Sequence, residues 1–114
     1  MESWDWPDSL DALVAAADFH SLLLETEDVR VLDTRVGPRE TVPIHTHRWP
    51  AALYVLSGGH FVRRDGDGNV LVDTRESEPI TAGVGLWTEA LPPHSLENVS
   101  DTEIRVISVE LKRR

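Results

Sequence analysis

Runs of apolar and β-branched residues, each about one strand long, alternate with short clusters of Gly, Pro, Asp and Asn along most of the chain. The runs cover residues 19–25, 29–36, 41–47, 51–57, 60–64, 70–73, 85–88, 95–99 and 103–111. β-Branched and aromatic side chains suit a pleated, half-buried surface, whereas the punctuating residues reach turn dihedrals at little cost. One segment has a different period. After Pro7-Asp8-Ser9, the residues Leu10, Leu13, Val14 and Ala17 fall at i, i+3, i+4 and i+7, which predicts a short amphipathic helix over 9–17 with an Asp or Ser cap. A lone helix followed by many short strands argues for a β-sandwich or barrel. Asp65-Gly66-Asp67-Gly68-Asn69 matches the opening of a calcium loop, but Val70 stands where that loop needs glycine and the flanks are strand-like. A tight hairpin turn is expected there.

Composition narrows the function classes. At 114 residues the chain has room for a single domain, here an N-terminal helical arm over 1–18 and a barrel over 19–111. Twenty acidic against 11 basic residues give a net charge of -9, which repels phosphate backbones and anionic lipid. Neither nucleic acid nor membrane is expected as a partner. The absence of cysteine excludes disulfides, thiolate ligands and thiol catalysis. The N-terminal stretch is acidic and tryptophan-bearing where a secretion signal would be basic and then aliphatic, so a cytoplasmic protein is expected.

The candidate chemistry sits in three histidines. In His45-Thr46-His47 an extended backbone aims both imidazoles to one face and Thr46 to the other, which makes a two-armed clamp. His94, after a Pro92-Pro93 pair expected to end regular structure just before it, is the candidate third arm. Three neutral nitrogens converging on one point suit Zn, Fe, Ni or Cu. His20 and His60 are read as ordinary surface or hydrogen-bonded residues.

These residues, with Gly58-Gly59 and Gly83 before His94 and Asn98 after it, resemble the two motifs of the cupins, G-x5-H-x-H-x3,4-E-x6-G and G-x5-P-x-G-x2-H-x3-N. Gly37 lies two residues early for the opening glycine, while Glu89 and Leu91 replace the second motif's proline and glycine. The motif glutamate should stand at 51 or 52, where the chain has Ala51 and Ala52. The resemblance implies an all-β, double-stranded β-helix (jelly-roll) barrel with one short N-terminal helix. It also implies a divalent metal ion (Fe, Zn, Ni or Mn) on His45, His47 and His94. Three neutral ligands leave such a site at about +2 rather than about +1, which favours a small bidentate or anionic substrate.

Cupins that use three histidines include cysteine, diketone-cleaving and gentisate-type dioxygenases, so dioxygenase-like chemistry is the expected function. A non-oxidative isomerase, lyase or decarboxylase and a non-catalytic ligand-binding module are the alternatives. Glu89 is the candidate acid, base or substitute ligand, or else a solvated loop carboxylate. Asn98 is expected to orient the turn or the ligand shell. Tyr54 and Trp87 are candidate cavity residues, with simple core packing as the alternative. Trp49 is placed at the cavity mouth or in a dimer contact. Small cupins commonly pair, so a homodimer is expected, with Trp4 and Trp6 as possible contacts.

Overall fold

The structure, a computed structural model, describes residues 4–112. Among the described residues, nine strands follow the alternating runs: β1 His20–Glu25, β2 Val29–Val36, β3 Thr41–His47, β4 Ala51–Ser57, β5 Phe61–Asp65, β6 Val70–Asp73, β7 Gly85–Thr88, β8 Leu91–Asn98 and β9 Ile104–Leu111. They form two antiparallel sheets, one in the order β1-β2-β9-β4-β7 and the other β3-β8-β5-β6. The inner faces of both sheets enclose one cavity. Val36 and Val42, one from each sheet, pack with Ala16 and the partly buried Phe19 and Leu96. At the β5–β6 turn, the Asp65 carboxylate accepts the Asp67 and Asn69 amides and Gly68 takes φ 88, as a tight hairpin requires. No helix among the described residues is long and apolar enough to cross a membrane.

Two expectations are corrected. The helix expected over 9–17 is instead a 3-10 turn at Asp8–Leu10 and a one-turn helix, α1, at Ala12–Ala15. Asp11 separates them because its backbone is extended (ψ 143), its side chain caps α1 by accepting the Leu13 amide, and its backbone bridges Thr46 of β3. Tertiary contacts thus override a helical pattern too short to propagate alone.

The second correction concerns Pro92-Pro93, which lies inside β8 rather than ending structure before His94. His45 pairs with His94 but His47 pairs with Leu91, so the two prolines occupy a bulge in the ladder. Pairing of β8 with β5 begins only at His94. Neither proline is therefore asked for the amide hydrogen it lacks. The pairing also shifts between Val42 and His45, around Pro43. Both cross-strand histidines thus follow a proline-containing bulge, a device that re-aims side chains.

A candidate metal centre of four histidines

His45 and His47 both face the cavity from β3, as the alternation of strand side chains requires. His94 faces it from β8 directly opposite His45, their ring centres 4.3 Å apart, and lies 5.8 Å from the His47 ring. His20, the first residue of β1, completes the group. It lies buried 5.0 Å from the His45 ring and 5.3 Å from that of His47. Ligand atoms of His20, His45 and His47 all fall within 4.8 Å of one another, whereas His94, expected as the third arm, is not part of that close set. Two nitrogens on one tetrahedral zinc ion stand about 3.4 Å apart, so modest ring rotations close this set on one ion. His20, expected to be a surface or hydrogen-bonded residue, is hydrogen-bonded, and β1 also brings its ring to the clamp.

Each ring is anchored from behind. His45 Nδ1 donates to the Pro43 carbonyl at 2.7 Å, His94 Nδ1 to the Pro92 carbonyl at 2.8 Å, and His20 Nδ1 to the Ala16 carbonyl at 3.0 Å. A carbonyl only accepts, so the proton is on Nδ1 and the Nε2 lone pair is free. Burial pushes the His45 ring down to about 2, His94 to about 3 and His20 to about 4, against an ordinary value near 6.5. At neutral pH these three rings are neutral, in a tautomer that leaves the Nε2 lone pair able to accept a metal ion. The P-x-H spacing in Pro43-Ile44-His45 and Pro92-Pro93-His94 is the local sequence cause of two of these anchors.

The fourth anchor is a carboxylate. His47 Nδ1 donates to Glu110 Oε2 at 2.9 Å, while Glu110 Oε1 accepts from Arg30 Nε at 2.5 Å. The remaining face of the Arg30 guanidinium grips Asp11 with two bonds of 3.0 Å. Glu110 is 1% exposed. Burial alone would raise its pKa, but hydrogen bonds from His47 and Arg30 outweigh it and hold the carboxyl below its ordinary value. A carboxylate behind a ligating histidine fixes the ring and raises its basicity. Arg30 and Glu110 face each other across β2 and β9, so the pair is built into the ladder.

In β4, Ala51, Leu53 and Val55 line the cavity, while Ala52 and Tyr54 point outward. Ala51 is thus the position from which a motif glutamate would reach the histidine side of the cavity, and its partner across β9 is Glu110. This barrel carries an acid on the neighbouring strand, behind a histidine rather than among the inward nitrogens.

Asn98 is fully buried and binds the turn rather than the cavity: its Nδ2 donates to the carbonyls of Val36, Gly37 and Thr102, and its Oδ1 accepts from Ser100. Tyr54 and Trp87 lie half exposed on the outer face of the five-stranded sheet, outside the cavity. Glu89 is also outside it, exposed and accepting from the Trp87 indole at 2.5 Å. Trp49 does line the cavity and is sandwiched among cations, with the Arg30 guanidinium 5.0 Å from its ring centre. His60 is an ordinary hydrogen-bonded residue, Nδ1 to Thr74 Oγ1 at 3.0 Å. Glu110, His20 and Arg30 were not identified from the sequence. Inward Ile104, Val106, Ser108 and Glu110 grow more polar along β9 as outward residues grow more apolar, so alternation did not reveal which face was inside.

The cavity measures 140 Å³ and its walls beyond the histidines are mostly aliphatic, including Val36, Val55, Leu91 and Leu96. Two antiparallel sheets rolled around inward histidines define the cupin fold, and comparison with known structures agrees. A cupin domain from Bordetella pertussis Tohama I aligns with a TM-score of 0.68 at 21% identity, over 82% of this chain and 92% of that one. A double-stranded β-helix cupin from Methanocaldococcus jannaschii aligns with a TM-score of 0.58 at 14% identity, over 81% of this chain and 77% of that one. The polyketide cyclase of Streptomyces resistomycificus aligns with a TM-score of 0.55 at 21% identity, over 83% of this chain and 65% of that one. No family model and no curated protein matches the sequence. The chain therefore has the cupin double-stranded β-helix fold, with a histidine cluster suited to a metal ion.

Proposed function

We propose that the protein is a metal-dependent cupin enzyme in which His20, His45, His47 and His94 hold one divalent ion through Nε2. Its substrate is a small chelating or anionic molecule, and dioxygenase-like chemistry is the primary reading. The supporting observation is that all four rings are bonded at Nδ1 by groups behind them, which leaves four nitrogens for the cavity. With no carboxylate ligand the centre keeps a charge of about +2, favouring anionic or enolisable chelators. When bound, the ion supplies Lewis acidity and, if it is iron, redox chemistry with dioxygen. The protein's own contribution is to orient the rings, keep Glu110 ionised behind His47, and exclude water with aliphatic walls.

Coordination number separates two readings. Four nitrogens leave two positions open on an octahedral ion and none on a tetrahedral one. An octahedral ferrous site fits the oxygenase. The second reading, a non-oxidative isomerase, lyase or decarboxylase using Zn, Ni or Mn, gains support from the structural likeness to a polyketide cyclase. Metal analysis of protein purified without an affinity tag tests both. About one iron per chain, with oxygen uptake in the presence of a chelating diketone or thiol acid, supports the first. Zinc or nickel at that ratio, with no oxygen uptake, supports the second. Failure of the purified protein to take up any of these ions in titration would sink both and leave a non-catalytic ligand-binding module.

We also propose a homodimer. β1 is an edge strand whose Leu22, Leu23 and Leu24 are exposed, and an apolar edge invites a second copy. A monomer by light scattering at micromolar concentration would refute it.

A further inference from the structure

Two polar groups in the cavity wall have no partner. Arg63 lines the cavity from β5, and its Nε is buried without a hydrogen bond. No carboxylate forms an ion pair with it among the described residues; the Phe61 ring lies 5.6 Å from the guanidinium carbon, and the Arg63 charge helps to hold the His94 pKa down. The acids around it are committed elsewhere: Glu97 to Arg64, Asp73 to Arg75 and Glu110 to Arg30 and His47. On the opposite sheet Ser108 lines the same cavity from β9, 6% exposed, and its Oγ is likewise buried without a partner. A guanidinium Nε–H and a hydroxyl buried without partners in one cavity wall are costly unless a ligand satisfies them.

Their placement relates them to the histidines. Arg63 pairs with Leu96 across β5 and β8, which makes His94, two residues along, its diagonal neighbour on the same face at about 7–8 Å between Cα atoms. Ser108 is two residues from Glu110 on one face of β9. A molecule between the two sheets can therefore touch Arg63 and Ser108 while another of its atoms reaches the free histidine nitrogens.

We propose that the cavity binds a small organic carboxylate, whose carboxylate group pairs with the Arg63 guanidinium and accepts a hydrogen bond from the Ser108 hydroxyl, with its apolar body against the aliphatic walls. The planar guanidinium fork matches a carboxylate in shape and charge. This deepens the substrate class of the proposed metal site, yet the Arg63 pairing itself needs no metal. Burial, which lowers the Arg63 pKa, strengthens its demand for an anion.

The test uses benzoate and its neutral isostere benzamide, titrated calorimetrically into chelator-treated and zinc-loaded full-length protein. Wild type should bind benzoate at least about tenfold tighter than benzamide in the chelator-treated form. Arg63→Met should abolish that preference while taking up zinc as wild type does, and Ser108→Ala should weaken benzoate by about threefold. Thermal melting gives a second readout. Without ligand, Arg63→Met should melt no lower than wild type, because the guanidinium has no protein partner to lose, and benzoate should raise the melting point of wild type alone. If Arg63→Met does not fold, Arg63→Lys keeps the charge without the fork and should bind benzoate at least about threefold more weakly than wild type. No preference for benzoate in wild type, or an unchanged preference in Arg63→Met or unchanged affinity in Arg63→Lys, would overturn the proposal. If only the metal reading is wrong, zinc will not bind but the Arg63-dependent preference will persist.

Discussion

The histidine cluster and the wall bearing Arg63 and Ser108 share one cavity, yet their polar groups are treated in opposite ways. Each histidine is hydrogen-bonded at the nitrogen that faces away from the others. Arg63 Nε and Ser108 Oγ are left with nothing. The contrast separates two kinds of preparation. A group that must offer a lone pair is held from behind, whereas a group that must give its own hydrogen bond to a visitor is left unsatisfied. An unsatisfied buried group costs about 1–3 kcal/mol, so the two sets should respond to mutation with opposite signs of stability change.

The largest effect should come from acid. His20, His45 and His94 have pKa values pushed by burial to about 4, 2 and 3. Unfolded, such rings titrate near 6.5. The unfolded chain therefore binds more protons than the folded one below that pH, so the stability of metal-free protein is full above about 6.5 and is lost progressively as pH falls toward 4 and below. Urea midpoints measured at pH 7, 6 and 5 should drop in that order. A constant midpoint would mean that the rings are solvated.

Glu110→Ala comes next. It leaves Arg30 with Asp11 as its remaining carboxylate and frees His47, which should cost about 1–3 kcal/mol in urea unfolding and about 10–100-fold in metal affinity. A loss below about 1 kcal/mol would remove Glu110 from its place as the anchor of the cluster. Substituting His20, His45, His47 or His94 singly by Ala should then cost more than about tenfold in metal affinity with the barrel still folded. Chelator competition reads each one, and a variant with unchanged affinity marks a ring that is not a ligand, so the His20→Ala and His94→Ala results decide between three donors and four.

Glu at Ala51 should reach the ion, lower its charge from about +2 to about +1, tighten metal binding and weaken oxalate binding. Glu at Ala52, on the outer face, should do neither. Equal behaviour of the two would show that β4 is misphased. The smallest effect belongs to Glu89→Gln, which lies outside the cavity. It should change stability by no more than about 0.5 kcal/mol and leave metal affinity untouched; a large loss of metal would bring Glu89 back to the site.

The strands and the H-x-H clamp were readable in the sequence because both depend on local period. Which face of a strand is inside was not always readable. In β4, Ala51-Leu53-Val55 and Ala52-Tyr54-Leu56 are both apolar sets, so nothing in polarity places Tyr54 outside. Leu86 and Trp87 present the same ambiguity in β7, where Trp87 lies outside. His20 and Glu110 are separated from the clamp by many residues, and only the β1–β2 and β2–β9 pairings bring them to it. The cupin motifs locate three of the four histidines and say nothing of β1. Local sequence marks the prolines as strand breakers, because a bulge depends on the partner strand's register, which local sequence does not specify.

The place of β9 has a consequence for how the molecule is made. It follows every other strand of the described residues in chain order, yet it lies between β2 and β4 at the centre of the five-stranded sheet. During synthesis β2 and β4 emerge long before the strand that joins them, and their inner edges stay unpaired until residues 104–111 arrive. Such non-local closure is slow and leaves edges open to wrong partners. Because β9 also delivers Glu110, the nascent chain can present His45 and His47 well before the acid that fixes one of them. Ordered assembly of the centre is thus tied to the arrival of β9, and an ion captured earlier would meet an unfinished set of ligands.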